Sequence, residues 1–358
     1  MTRRQPRSTL ERSSPASDVY KRQVQASSER ATCSLASSST SPTGQRETGF
    51  PMTTNDIDTA GRTCPLRYRY GAQAIAKAPS LSTETLYVIG GLYGNLPALE
   101  MIEQMAASEA GPVTLCFNGD FNWFNVDDEG FRTINQRVLR HQALLGNVEA
   151  ELSSNGDEAG CGCAYPDQVD AAVVERSNRI HARLKATAQR NADLSRRLAG
   201  LPMFARFEIG RCRVGIVHGD AESLAGWKFG VDEIDKPHNE TWLQSAFDSA
   251  QVDVFSSTHT CEPVLKSVAR GALQAVVINN GAAGMPNVGG KFPGLITRIG
   301  LTPSPFSAAY GTCVADAHID AIPVAYDQDR WTTMFLANWP AQSDAHLSYF
   351  RRIARHPV

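Results

Sequence analysis

The chain has 358 residues, with 35 Lys+Arg against 37 Asp+Glu and a formal net charge of -2. That balance excludes a strongly basic nucleic-acid binder and an acidic solvated tail. Hydrophobic residues at 42% and charged residues at 20% predict a globular chain able to bury a large core. No apolar run approaches the roughly 18–20 residues of a membrane span, so no membrane partner is expected. The 8 cysteines are scattered and form no compact disulfide framework, which points to a reducing, cytoplasmic setting.

Residues 1–51 are rich in Ser, Thr, Arg and Gln and carry no helical or strand period. The stretch Ser34–Pro42 is of low complexity, and Ser17–Gln23 resembles translated adapter sequence. This extension is expected to be disordered or non-native, with the native chain starting at Met52. Residues 52–358 then form a single domain.

Within that domain, Thr85–Ile89 reads as a buried strand, followed by a glycine-rich turn and a helix capped by Asn95. Leu99, Ile102, Met105 and Ala106 mark its apolar face. Pro112–Phe117 is the next strand and completes a βαβ unit. Asp127, Asp128 and Glu129 open the following helix, where its dipole favours acids. A helical insertion is expected at about 150–200, centred on one long helix from Asp167 to Leu198. Further strands are predicted at Phe204–Ile209, Arg213–Val217, Val252–Ser256 and Ala275–Ile278. A C-terminal helical segment is predicted at about 326–355.

The chemistry collects at strand ends. Asp120 follows one strand, Asn147 follows Leu144-Leu145-Gly146, His218 closes another strand, and His259 comes just after a third. Ligands in open α/β sheets gather outside the carboxyl ends of strands, so these four can converge. One carboxylate, one amide oxygen and two imidazoles suit Mn, Fe, Zn or Ni better than Ca or Mg. Each residue alone also has a structural reading, as a turn residue or a hydrogen-bonded core histidine.

The order of these segments is Gly91–Leu99, Gly119-Asp120, Gly146-Asn147-Val148-Glu149, His218-Gly219-Asp220 and Thr258–Pro263, then Ile278–Pro286. It resembles the calcineurin-like metallophosphoesterase family, in its small-phosphodiesterase branch, from about Thr85 to Gly300. The resemblance implies a four-layer α/β/β/α sandwich and hydrolysis of a small phosphorylated substrate, either a phosphomonoester or a phosphodiester.

The family holds two metals. The resemblance assigns Asp120, Asn147, His218 and His259 to one of them, and all four are present. It assigns Gly91, Tyr93 and Cys261 to the other, where the family has Asp, His and His. It therefore implies one divalent metal per chain beside a remodelled pocket. Val148 stands where the family has a protonating His, and Glu149 occupies its acidic position beside the metal.

Asp120, Glu149 and Tyr93 are the candidate catalytic residues, with Glu149 orienting a ligand or a water. The positive charge of the missing metal needs a substitute, for which Tyr93, Lys228 and an arginine of the insertion are candidates. Cys161, Cys163 and Cys261 offer a softer second site. The rival reading is a non-catalytic relative that binds a phosphorylated ligand or partner on the same scaffold. The sequence does not specify the oligomeric state.

Overall fold

The structure is a computed structural model and describes residues 60–154, 159–271, 273–285, 287 and 292–354. The N-terminal extension, Met52 and Pro286 of the late turn lie outside the described residues.

In chain order the helices are α1 (Ala72–Ala76), α2 (Leu96–Ala107), α3 (Asp128–Val138), α4 (Asn147–Leu152) and α5 (Ala171–Arg190). They continue with α6 (Ala192–Ala199), α7 (Pro237–Ala250), α8 (Gln328–Asn338) and α9 (Asp344–Ile353). The strands are β1 (Ser80–Ser82), β2 (Thr85–Ile89), β3 (Thr114–Asn118), β4 (Gln142–Leu144), β5 (Phe204–Ile209) and β6 (Cys212–Val217). Then come β7 (Val254–Ser257), β8 (Pro263–Arg270), β9 (Leu273–Asn280), β10 (Leu295–Gly300), β11 (Tyr310–Val314) and β12 (Ala317–Pro323).

Two six-stranded sheets result, in the orders β1-β5-β6-β7-β9-β8 and β11-β12-β10-β2-β3-β4. Strands β2, β3 and β4 pair in parallel, as do β6, β7 and β9. Side-chain alternation turns the two sheets into four layers. In β2, Leu86 and Val88 face the other sheet, where they meet Val214, Ile216 and Val276. Tyr87 and Ile89 face outward into a helical layer with Ile102, Phe131 and Leu184. On the far side, Phe255 and Val277 pack against Phe247 and Leu243 of α7. The architecture is the predicted α/β/β/α sandwich.

Local signals hold at the helix starts. Asn95 accepts a hydrogen bond from the Ala98 amide, and Asp127 accepts one from Gly130. The single helix expected over Asp167–Leu198 is in fact two. It breaks at Asn191, whose backbone leaves the helical region (φ -111°, ψ 55°). The Asn191 side chain donates to Asp128 and to the Thr187 carbonyl and accepts from Arg132, so tertiary bonds reward the break.

One buried ion pair fastens α2 to the sheet below it. Arg298 Nε and Nη2 donate to the two Glu109 oxygens at 2.6 and 3.0 Å, and the Tyr87 hydroxyl donates to Glu109 at 2.7 Å. The two charged side chains are only 0% and 6% exposed, which makes loss of one partner costly. Glu109→Ala is expected to lower unfolding free energy by about 3–5 kcal/mol in a urea titration.

Burial alone would raise the Glu109 carboxyl, but hydrogen bonds from Arg298 and Tyr87 hold it below its ordinary 4.5. A depressed carboxylate stabilises the fold above its unfolded pKa and loses that contribution as pH falls through the folded value. The wild type should therefore lose stability more steeply below pH 4.5 than Glu109→Gln does. Parallel pH profiles would refute the pairing.

Candidate metal centre

Asp120 follows β3, Asn147 follows β4, His218 follows β6, and His259 follows β7. Two residues come from each sheet, all at the same edge of the sandwich. Glycines allow the loops to approach this closely. A Cβ on Gly146 would lie 2.1 Å from Asp120 Oδ1, and one on Gly119 would lie 2.3 Å from the Gly146 nitrogen. Gly119 also has φ +77°, a backbone that favours glycine. Asn118 ties the sheets together by donating to the Val217 carbonyl while its own carbonyl accepts from His218.

The protonation pattern follows from these partners. His218 Nδ1 lies 2.8 Å from the Asn118 carbonyl, which can only accept, so Nδ1 carries a proton and Nε2 is turned toward the other three side chains. His259 Nε2 lies 3.1 Å from the Cys163 carbonyl, so Nδ1 is bare. Asn147 donates Nδ2 to the Cys161 carbonyl, which turns Oδ1 inward. Around His218 Nε2 stand Asn147 Oδ1 at 3.2 Å, His259 Nδ1 at 3.3 Å and Asp120 Oδ1 at 3.4 Å. The candidate atoms of Asp120, His218 and His259 all lie within 4.8 Å of one another.

Four potential ligand atoms therefore lie close together. Ligand atoms about 2.05 Å from a tetrahedral metal sit roughly 3.3 Å apart, and the three distances around His218 Nε2 match that spacing. His218, His259 and Asn147 each also have the outer hydrogen bond that such a site uses to fix its orientation, and the Val148 amide donates to Asp120 Oδ1. The field is consistent with a cation-seeking centre. Burial opposes the charge on His218, but the adjoining Asp120 carboxylate holds its pKa above the ordinary value. Burial and neighbouring His218 push His259 down to about 3.

Glu149 lies beneath this point and is fully buried. Its Oε2 accepts from the amides of Asp120 and Gly146, and its Oε1 accepts from Phe121 N, Asn122 N and Asn122 Nδ2. Burial and the nearby Asp120 charge push its pKa up to about 7. Both oxygens are taken by these donors, and Glu149 is not among the residues that line the cavity. It holds the Asp120 loop, in which Asp120 itself adopts φ +54°.

A cavity of about 370 Å³ opens above the point, walled by Tyr93, Val148, Tyr165, Trp227, Tyr349 and Arg352. The half assigned to a second metal is filled. The Tyr93 ring comes within 3.1 Å of a Cβ built on Gly91, and its hydroxyl lies 2.8 Å from Cys261 Sγ. Gly91 has φ +64°, and a Cβ there would lie 2.8 Å from the Ala282 methyl, so a carboxylate cannot return without moving backbone. Burial raises the Tyr93 hydroxyl well above its ordinary pKa, leaving it a neutral donor.

The other charge candidates lie elsewhere. Lys228 pairs with Glu222 and stacks on Trp242. Of the insertion arginines, Arg179 pairs with Asp344, Arg176 donates to Ser348 and Arg183 stacks on Trp339. Cys163 and Cys261 line the cavity, but Cys161 does not. Among the described residues the three thiols form no metal-holding cluster.

The insertion and the C-terminal helix instead form a roof together. Besides the Arg176 and Arg179 contacts between α5 and α9, Tyr349 packs its ring on Trp123 and Phe124. Asn118, Trp227, Tyr349 and Arg352 are site residues that the sequence reading passed over. Trp227 donates to the Cys163 carbonyl and packs edge-on against His259, 5.1 Å between ring centres.

No described helix is long and apolar enough to cross a membrane, and the described cysteines are free. No family model matches the chain, and no curated protein matches it. Among solved structures it is similar to a hypothetical protein from Pyrococcus horikoshii, at 15% identity and a TM-score of 0.47 over 75% of this chain and 98% of that one. It is also similar to a metallophosphoesterase from Sphaerobacter thermophilus, at 17% identity and a TM-score of 0.45 over 76% and 98%. A third likeness is to zinc-complexed Vps29 from Entamoeba histolytica, at 12% identity and a TM-score of 0.30 over 67% and 99%.

Proposed function

We propose that the protein is a phosphoesterase that works with one divalent metal ion held by Asp120, Asn147, His218 and His259. The observation that carries the reading is the cluster of Asp120 Oδ1, Asn147 Oδ1 and His259 Nδ1 within 3.4 Å of His218 Nε2. A bound ion would polarise a phosphoryl oxygen and acidify a water there. Asp120 supplies the one carboxylate of the set, and Glu149 keeps it in place through the loop amides. Tyr93 holds a proton at its hydroxyl beside the cavity, and Tyr165, Trp227 and Tyr349 narrow the space around a bound ester.

The wall also limits the substrate. Val148 lines the cavity where an imidazole would protonate a leaving group, and His181 is turned away, bonded to the Val148 carbonyl. Esters whose leaving group departs without a proton are therefore favoured, such as aryl esters and phosphoanhydrides. Loss of general acid help typically costs roughly 10²–10⁴-fold in rate, so alkyl esters should fall behind aryl esters by about that factor.

The test pairs elemental analysis of the purified protein with hydrolysis of bis-p-nitrophenyl phosphate, p-nitrophenyl phosphate and matched alkyl esters. One equivalent of metal with metal-dependent turnover of the aryl esters supports the reading. Metal without turnover of any ester would make the cavity a binding site, and a protein that takes up no divalent metal would end the proposal.

A further inference from the structure

The filled half of the cavity poses an electrostatic problem. One divalent ion beside Asp120 leaves a net charge near +1, while a phosphate group brings one or two negative charges. Tyr93 and Cys261 fill that space with a hydroxyl and a thiol 2.8 Å apart, and neither side chain is a cation. Among the described residues lining the cavity, the one cationic side chain beyond the imidazoles is Arg352.

Arg352 is built into position. It sits near the end of α9, which is clamped to α5 by the Arg179–Asp344 pair and the Arg176–Ser348 hydrogen bond. Gln328 of α8 donates to the Ile353 carbonyl and holds the same end. Arg352 Nη2 donates to the Met285 carbonyl at 2.8 Å, and the guanidinium lies 5.8 Å from the centre of the Tyr349 ring. Its Nε is buried and has no hydrogen-bond partner among the described residues, and the Glu262 carboxylate, which its charge reaches, accepts a hydrogen bond from Asn287. An arginine so fixed has donors left for a planar, two-pronged grip on phosphate oxygens.

Arg352 lines the same cavity as Tyr93 and Cys261, the residues that fill that space. We propose that Arg352 is the phosphate-binding residue of this cavity and stands in for the second cation. The inference rests on the phosphoester reading for the identity of the ligand, but its geometry does not depend on turnover.

The experiment titrates inorganic phosphate into the full-length protein by calorimetry, with and without added Zn²⁺, while metal stoichiometry is measured separately. Arg352→Ala should weaken phosphate binding by about tenfold or more, because a charge-assisted bidentate contact is lost. Arg352→Lys should recover part of that loss, since it returns the charge without the fork. Metal stoichiometry and the melting temperature should stay at wild-type values in the lysine variant.

Phosphate binding that is equally tight in wild type, Arg352→Lys and a folded Arg352→Ala would overturn the proposal. So would a wild type that binds no phosphate in either state. If no metal binds but phosphate still binds through Arg352, the hydrolytic reading fails and this assignment stands. If metal binds and turnover is seen with no Arg352 dependence in KM or phosphate affinity, the reverse holds.

Discussion

Replacing His218 with alanine is expected to reduce divalent-metal affinity by about 10²–10³-fold and to remove metal-dependent turnover with it. A four-ligand zinc site gains roughly 10–16 kcal/mol on binding, so one ligand accounts for a few kcal/mol. His218 is also the hub of the set, since its Nε2 lies within 3.4 Å of one atom from each other ligand. Its outer nitrogen bonds to Asn118, which in turn bonds to Val217, so the side chain connects the two sheets as well. Titration with a chelating indicator reads the affinity, and circular dichroism checks the fold. A folded His218→Ala protein with wild-type metal affinity would show that the four side chains serve another purpose.

Glu149→Ala should be the most damaging substitution to the fold itself. It would strand four buried amides, those of Asp120, Gly146, Phe121 and Asn122, and leave the Asn122 side chain with Asn135 as its acceptor. A buried donor left without a partner costs about 1–3 kcal/mol, so even with partial relaxation the loss should exceed roughly 4 kcal/mol. The Asp120 backbone, held at φ +54°, would lose its main restraint at the same time. Glu149→Gln keeps one acceptor oxygen but turns an NH₂ toward amides, so it should recover less than half of the loss. Urea denaturation measures both. An alanine variant within about 1 kcal/mol of wild type would mean that water replaces the carboxylate without strain.

The fold was legible where the signal was local. Strand β2 runs over the five residues predicted for it, and Asn95 caps α2 as its position implied. Strands β1 and β4, each of three residues, are too short to carry a pattern. The four candidate ligands could be picked out because strand ends place polar residues at one edge, and the structure brings them together there.

Electrostatic partners were not legible in the same way. Lys228 and the insertion arginines were candidates by charge alone, but each has a nearer carboxylate, hydroxyl or aromatic partner. Arg352 lies 232 positions after Asp120 in the chain, and nothing local separates it from exposed Arg351 beside it. Only the clamping of α9 onto α5 decides which of the two faces inward. Tyr93 was read as a possible source of charge, yet its ring fills space and its hydroxyl stays neutral.

Because Asp120 and Asn147 hang from one sheet and His218 and His259 from the other, the gap between the sheets would also be the bore of a coordination shell built from all four. That gap is packed by side chains that would never touch a bound ion: Val88 and Cys116 on one side, Ile216 and Val254 on the other. Packing tightness in this hydrocarbon layer thus becomes a ruler for ionic radius. Drift in these buried positions would retune which metal is preferred while every ligand stayed the same.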